Sequence, residues 1–463
     1  MRSLVLADFV VFLVAMLVTW ILTPVAARVA KRVGAISYPN HRSAHTVPTP
    51  YLGGSAMYAG LVVAFFVAFL LSPLRALITG DTGAMGVLLS GLIVVIIMTI
   101  DDLRDISPPA KIAGLVLSAS VLFLFGVTMT YFRIPFGELL ILSGDVSPLV
   151  TALWVVLFCN ALNLIDGLDG LAAGIAGIAA TALFIFALRM QYLGVLEKDS
   201  LGPVICAATA GISLGFLRWN FNPAKIFMGD AGAMLLGLLL ASATILIGGR
   251  VNDQFSGQTF FFFAPLVIPL VILGIPIADV FFSFLRRLLH GQGVATADRG
   301  HLHHRLLDLG HGERRTVVML YIWSILLACV ALMPTFAPEE EQGVGNRLVP
   351  FVLAGLALLL YALFHPGNPR LAHIWNRGEK SPVAGERRFR HERGESSVHP
   401  KKQRARPLAF FLTLRSSGAD RNLPMSGWSE CGEDARSPVL GEERERAPSP
   451  AAAGAVREHF DRG

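Results

Sequence analysis

Charge is scarce in this sequence. Asp, Glu, Lys and Arg together make up 16% of the 463 residues, against 54% hydrophobic residues. Soluble domains carry about a quarter charged residues. With a mean hydropathy of +0.59 and many long apolar runs, the chain reads as a polytopic membrane protein. Cysteine is nearly missing: Cys159, Cys206, Cys329 and Cys431 are scattered, form no CxxC pair, and for the first three lie in or beside apolar runs. That excludes a disulfide framework and a cysteine zinc site. No Walker A or GxGxxG signature is present, so an NTPase or a dinucleotide enzyme is unsupported. There is no internal repeat. The N-terminus has no basic segment ending in a cleavage site, and its apolar run 4–22 is long enough to span, so it reads as a first helix rather than a removed signal.

The net charge of +6 is no sign of a nucleic-acid partner. From Pro366 onward there are 18 Lys and Arg against 13 Asp and Glu, so five of the six charges lie in the tail. This tail mixes Arg, Glu, Ser, Pro and Gly without apolar periodicity and is expected to be a disordered cytoplasmic extension, 366–463. Residues 1–365 then form the membrane domain. Apolar runs predict eleven spans, at about 4–23, 53–72, 84–100, 110–127, 148–165, 171–189, 201–217, 231–249, 259–282, 316–335 and 348–365. The fold class is therefore all-α and polytopic, with about eleven transmembrane helices. Residues 128–147, β-rich with Gly137 and Gly144, suit an external hairpin. One alternate set of connections carries far more Lys and Arg, including Arg28, Lys31, Arg32, Arg104, Lys111, Arg218, Lys225 and Arg299. The positive-inside rule makes that set cytoplasmic, with the N-terminus outside and the tail inside.

Polar clusters interrupt this apolar background, and all fall on the cytoplasmic side. The first is the Pro/Gly-rich basic loop from Tyr38 to Gly54. Asp101-Asp102-Leu103-Arg104-Asp105 follows the third run. Its paired carboxylates repel, so either one serves as a proton acceptor or both face a cation. Lys111 either holds an anionic lipid phosphate or merely snorkels. The run Asn160-Ala161-Leu162-Asn163-Leu164-Ile165-Asp166-Gly167-Leu168-Asp169-Gly170 puts two amides and two carboxylates where helices meet water. Ionisable groups at that depth are functional candidates by default. In Arg218–Gly232, Asp230 is flanked by glycines at the start of a long apolar helix, placed either to cap it or to offer oxygen to a divalent ion. Last comes Asp298-Arg299-Gly300-His301-Leu302-His303-His304-Arg305. Three close histidines are compatible with zinc, but Arg and His beside oxygen ligands suit a diphosphate better. Hard oxygen ligands, paired acids and phosphate-binding cations on one face fit metal-assisted chemistry on a phosphate ester.

These motifs, in this order from Tyr38 to Arg305, resemble the polyprenyl-phosphate N-acetylhexosamine-1-phosphate transferase family: DDLRD, NALNLIDGLDGLAAG, NPAKIFMGDAG and HLHH. HLHH is more similar to the branch that uses UDP-GlcNAc and related simple sugars. The resemblance implies a bacterial inner-membrane enzyme with a cytoplasmic-face active site and Mg²⁺ (or Mn²⁺). It would move a sugar-1-phosphate, such as GlcNAc-1-phosphate, from a UDP-sugar to undecaprenyl phosphate, releasing UMP and initiating a cell-envelope polysaccharide such as lipopolysaccharide O-antigen. A homodimer is compatible with it. By the same resemblance Asp101, Asp102 and Asp166 are catalytic, and Asn163 and Asp230 hold the metal. Lys111, Asp169, Asn220, Arg299, His301, His303 and His304 contact substrates. An ion-coupled secondary transporter is the competing class, since buried acids and broken helices also mark carriers. A transporter predicts midplane polar groups and inverted repeats; here the clusters lie at one interface and no repeat is seen.

Overall fold

The computed structural model describes residues 2–39, 47–104, 106–133, 139–248 and 312–336, together with Gly355. All belong to one compact unit, Met1–Pro382; a second unit, Val383–Gly463, lies outside the described residues. So do the expected spans at 259–282 and, but for Gly355, 348–365, the tail from 366, the middle of the first polar loop at 40–46, and the Arg299–Arg305 cluster.

The described chain is mostly helical. In order the helices are α1 (Arg2–Val33), α2 (Gly53–Leu70), α3 (Ser72–Gly80), α4 (Gly83–Arg104), α5 (Pro108–Leu124), α6 (Ser147–Ile165), α7 (Leu171–Tyr192), α8 (Gly202–Asn220), α9 (Gly229–Gly248) and α10 (Glu313–Phe336). Eight of these are long and apolar enough to cross a membrane, and α5 is a shorter apolar helix. Nine of the eleven expected spans thus coincide with helices.

Three differences have physical causes. Expected to end near residue 23, α1 continues through Pro24 to Val33, with Lys31 and Arg32 in its last turn. Hydropathy falls where these cations begin, but a helix leaving the bilayer needs no apolar face all round. At the end of α5 the chain turns at Gly126, which has φ 82°, a left-handed conformation glycine adopts freely, so the helix stops at Leu124. Short and amphipathic, α3 begins at Ser72-Pro73 and buries Leu74 and Leu77; it is too brief to register as a span.

Close helix approach is set by small residues. In lipid, apolar surface gives no drive for helices to associate, so close van der Waals packing must supply it. A Cβ on Gly211 of α8 would clash with the Phe12 carbonyl of α1, and one on Gly215 with that of Met16. Gly237 of α9 likewise lies against the backbone of Phe158 and Cys159 in α6. Packed on α2, α4, α6, α7 and α8, α9 is enclosed: every residue from Ala231 to Ile247 is buried. Two small antiparallel ribbons complete the described fold. β1 (Ile36–Ser37) pairs with β2 (Thr49–Pro50), and β3 (Tyr131–Arg133) pairs with β4 (Leu139–Ile141). The second is the hairpin expected in 128–147.

Candidate active site

The described polar clusters converge at one end of the bundle. They come from the C-terminal ends of α4, α6 and α8, and the N-terminal ends of α2, α5, α7 and α9. Asp101 and Asp102 close α4. Asp101 is 3% exposed, and its Oδ1 accepts the Ile106 N–H at 3.0 Å, which fixes the turn into α5. Its other oxygen pairs with Nζ of Lys111, on the first turn of α5; the same ammonium lies 2.9 Å from Oδ2 of Asp230. One lysine therefore bridges acids that are far apart in sequence.

Asp102 reaches across to the start of α9. The Asp230 N–H donates to its Oδ1 at 3.0 Å, so Asp102 satisfies one of the free donors of that helix. Oδ2 of Asp102 is buried and has no hydrogen-bond partner among the described residues. It lies directly over Gly229 (φ 71°), where any Cβ would strike it. Gly229 therefore meets both a left-handed backbone and a carboxylate with no room to spare.

Two further elements brace this corner. The strand-like stretch Thr49–Leu52 zips onto the loop before α9: the Phe227 N–H donates to the Pro50 carbonyl at 2.9 Å. Gly53 and Gly54 N–H donate to the Phe227 and Met228 carbonyls at 3.0 Å each. Gly54 then sits against the Gly232 backbone with no space for a side chain. Asn220, 2% exposed at the end of α8, accepts the Gly170 N–H at 3.1 Å and donates to the Ile226 carbonyl at 3.0 Å. It ties the loop after α6 to the loop before α9 and has both ends of its amide engaged.

Asp166 and Asp169 occupy the first of those loops. Asp166 follows α6, where its N–H donates to the Asn163 carbonyl at 3.3 Å. Burial, then the nearby charges of Asp230, Asp102 and Asp169, push its carboxyl up to about 8. Those neighbours show that the acids of α4, α6–α7 and α9 share one electrostatic site. Oδ2 of Asp169 accepts from Asn222 Nδ2 at 3.1 Å and from the Ala224 N–H at 2.9 Å. Asn222 Nδ2 also donates to Glu313 Oε2, and Arg314 Nε donates to the Asn222 carbonyl at 2.8 Å. The first turn of α10 is thereby clamped to the acid loop. Asn163 is half-buried on the last turn of α6, with no side-chain hydrogen bond among the described residues.

Of the twelve residues singled out from the sequence, eight are therefore described. Asp101, Asp102, Lys111 and Asp230 are in direct contact, and Asp166, Asp169 and Asn220 adjoin them. Arg299, His301, His303 and His304 lie outside the described residues. Sequence reasoning passed over Glu313, Arg314 and the Tyr321 hydroxyl, which donates to the Gly170 carbonyl at 2.5 Å. Nothing local marks them, because their partners lie some 90 to 150 positions away.

A divalent cation fits this donor set. Asp101 and Asp230 share one lysine, Asp102, Asp166 and Asp169 are close by without an ion pair among the described residues, and the buried Asp102 oxygen is without a donor. No three His, Cys, Asp or Glu side chains form a ready-made metal cage among the described residues. Mg²⁺ does not need one, since it binds through one or two carboxylates together with waters and substrate phosphates.

Residues 84–248 match the model of glycosyl transferase family 4. The chain is 36% identical over 363 residues to the decaprenyl-phosphate N-acetylglucosaminephosphotransferase of Mycobacterium leprae, covering 77% of this chain and 90% of that one. It is 32% identical to a probable undecaprenyl-phosphate N-acetylglucosaminyl 1-phosphate transferase of Bacillus subtilis, over 70% of this chain and 84% of that one. With the undecaprenyl-phosphate alpha-N-acetylglucosaminyl 1-phosphate transferase of Escherichia coli K12 the identity is 27%, over 71% and 84%.

Proposed function

We propose that this chain, which belongs to the polyprenyl-phosphate N-acetylglucosamine-1-phosphate transferases of glycosyl transferase family 4, moves N-acetylglucosamine-1-phosphate from UDP-GlcNAc to a polyprenyl phosphate. UMP leaves and a lipid-linked diphosphate sugar remains. The carrying observation is the Asp101–Lys111–Asp230–Asp102 contact at one end of a bundle of apolar helices. A carrier would need its polar groups near mid-membrane; these sit at helix ends.

In this reading an oxygen of the acceptor phosphate attacks the sugar-bearing phosphorus of the donor, and the bond to UMP breaks. Positioning and electrostatics dominate such transfers. Lys111 supplies a fixed positive charge beside the reacting phosphates and keeps Asp101 and Asp230 together. Asp102 holds the start of α9, so its second oxygen is presented at a set point. Asp169 and Asn222 fix the loop that carries Asp166. Asp102 and Asp230, with the Asn163 amide, would hold Mg²⁺. A bound divalent ion supplies charge neutralisation at the diphosphate. The loop-charge asymmetry supports a cytoplasmic position for this end of the bundle in a bacterial cell, with the lipid acceptor entering from the bilayer.

The test is direct. Purified protein is incubated with a polyprenyl phosphate, Mg²⁺ and a panel of UDP-sugars, and UMP and glycolipid are scored. UDP-GlcNAc turnover is the expected result. Turnover of UDP-MurNAc-pentapeptide alone would refute the donor assignment, and no turnover with any donor would refute the transferase reading.

A further inference from the structure

A second feature lies on the outer side of α8. A groove of about 550 Å³ runs along its last two turns and into the following loop, lined by Leu214, Leu217, Arg218, Trp219, Phe221 and Lys225 among others. Leu214 is 43% exposed within a membrane-spanning helix, so the upper wall faces acyl chains. The lower rim is cationic. The Arg218 guanidinium lies 5.8 Å from the Trp219 ring centre and the Lys225 ammonium 5.2 Å from it. Two positive charges are thus gathered on one indole, with no carboxylate paired to either among the described residues. The aromatic face offsets part of their mutual repulsion; an anion between them would offset the rest.

The indole is held in place. Trp219 Nε1 donates to the Trp20 carbonyl of α1 at 2.9 Å, and the Lys225 N–H donates to the Trp219 carbonyl at 2.9 Å. Trp20 is itself exposed, and two tryptophans at one level mark a lipid–water boundary. Both cations are exposed to water, yet both line the same concave, apolar-walled groove. The groove is lined by α8 and the loop after it, and α8 packs on α1. Lys111 belongs to α5, which packs on α4 and α6. The groove is therefore apart from Lys111, but its inner end includes Asn222, whose amide donates to Asp169, so it adjoins the acid loop.

The geometry points to a binding site for one anionic phospholipid, its phosphate on Arg218 and Lys225 and an acyl chain along Leu214 and Leu217. The loop that carries Lys225 leads straight to Gly229 and Asp230, so a lipid seated here would steady the start of α9. The experiment measures tryptophan quenching in nanodiscs of phosphatidylcholine containing either brominated phosphatidylglycerol or brominated phosphatidylcholine. The Trp219 share is taken as wild type minus Trp219→Phe. Brominated phosphatidylglycerol should quench that share preferentially, and the preference should fall about fivefold for each cation removed in Arg218→Gln and Lys225→Gln, at about 1 kcal/mol per basic residue near an anionic surface. Arg218→Lys/Lys225→Arg should keep it, which separates charge from folding. Equal quenching by the two lipids, or a preference unchanged in both glutamine variants, would overturn the site. Displacement of phosphatidylglycerol by equimolar polyprenyl phosphate would assign the groove to the acceptor instead.

Discussion

Asp102 has two oxygens in different situations, and two substitutions separate them. In Asp102→Asn one oxygen remains to accept the Asp230 N–H, now at 3.0 Å from Oδ1. Asn and Asp are equivalent as helix N-caps, so the start of α9 should be kept. Removing a buried carboxylate without a donor on Oδ2 also relieves a desolvation cost. The amide NH2 that replaces it is itself a buried group without an acceptor, so the melting midpoint of Asp102→Asn should lie close to that of the wild type. Asp102→Ala loses the cap as well and should be less stable by about 1 kcal/mol. For activity the order changes: both variants lose the second carboxylate oxygen, and turnover should fall about 10²–10⁴-fold in each, the range for losing one positioned catalytic or charge-stabilising group. UMP release by purified protein gives the rate, and thermal unfolding in the same detergent gives the stability. If Asp102→Asn turns over within a few-fold of the wild type, Asp102 is a helix cap and nothing more. If Asp102→Ala melts with Asp102→Asn, the capping argument fails.

Other outcomes follow from the same geometry. Gly229→Ala should be nearly inactive and destabilised by more than the ~1–2 kcal/mol of a left-handed alanine, because its Cβ also meets the Asp102 carboxylate; thermal melting and UMP release check both. Asn220→Ala leaves the Gly170 N–H and the Ile226 carbonyl unpaired in the interior, at about 1–3 kcal/mol each, and should lower the melting midpoint well below that of Asn222→Ala. Asp230→Asn should raise the Mg²⁺ concentration needed for half-maximal activity while the protein still folds; a normal metal titration would remove Asp230 from the ion site. In metal-free protein the folded Asp166 titrates near 8 against an ordinary value of 3.8. The folded state then binds more protons than the unfolded one between those values, so stability falls as pH rises from about 4 through 8. Asp166→Asn should flatten that fall in a pH series of melting curves.

Much of this architecture was legible in the sequence because bilayer thickness fixes helix length. The runs at 148–165, 171–189 and 231–249 coincide with helices to within a few residues. The charge-bearing end of α1 was not legible, since the apolarity rule stops where water begins and helical hydrogen bonding does not. The site residues stood out because carboxylates beside apolar runs are rare. Their partners did not. Lys111 offered phosphate binding or snorkelling as readings, and the bridge from Asp101 to Asp230 depends on α5 and α9 meeting 119 positions apart. Asn220 stood out only through the resemblance, as a substrate contact; that both ends of its amide tie two loops together depends on tertiary structure. The Gly53-Gly54 pair belongs to the Pro/Gly-rich loop read from the sequence; that Gly54 would have Gly232 as its neighbour is a matter of tertiary structure alone.

The enclosure of α9 bears on how the protein is made. Among the described residues, the five helices that pack on it, α2, α4, α6, α7 and α8, all precede it in the chain. Those five neighbours are thus synthesised before α9, which can pack against helices already made rather than wait for later ones. Its seventeen consecutive buried residues need never face acyl chains for long. Asp230, at the leading end of that helix, can meet Asp102 and Lys111 only once α9 is in place, and Glu313 and Arg314 of the later α10 join the acid loop after that.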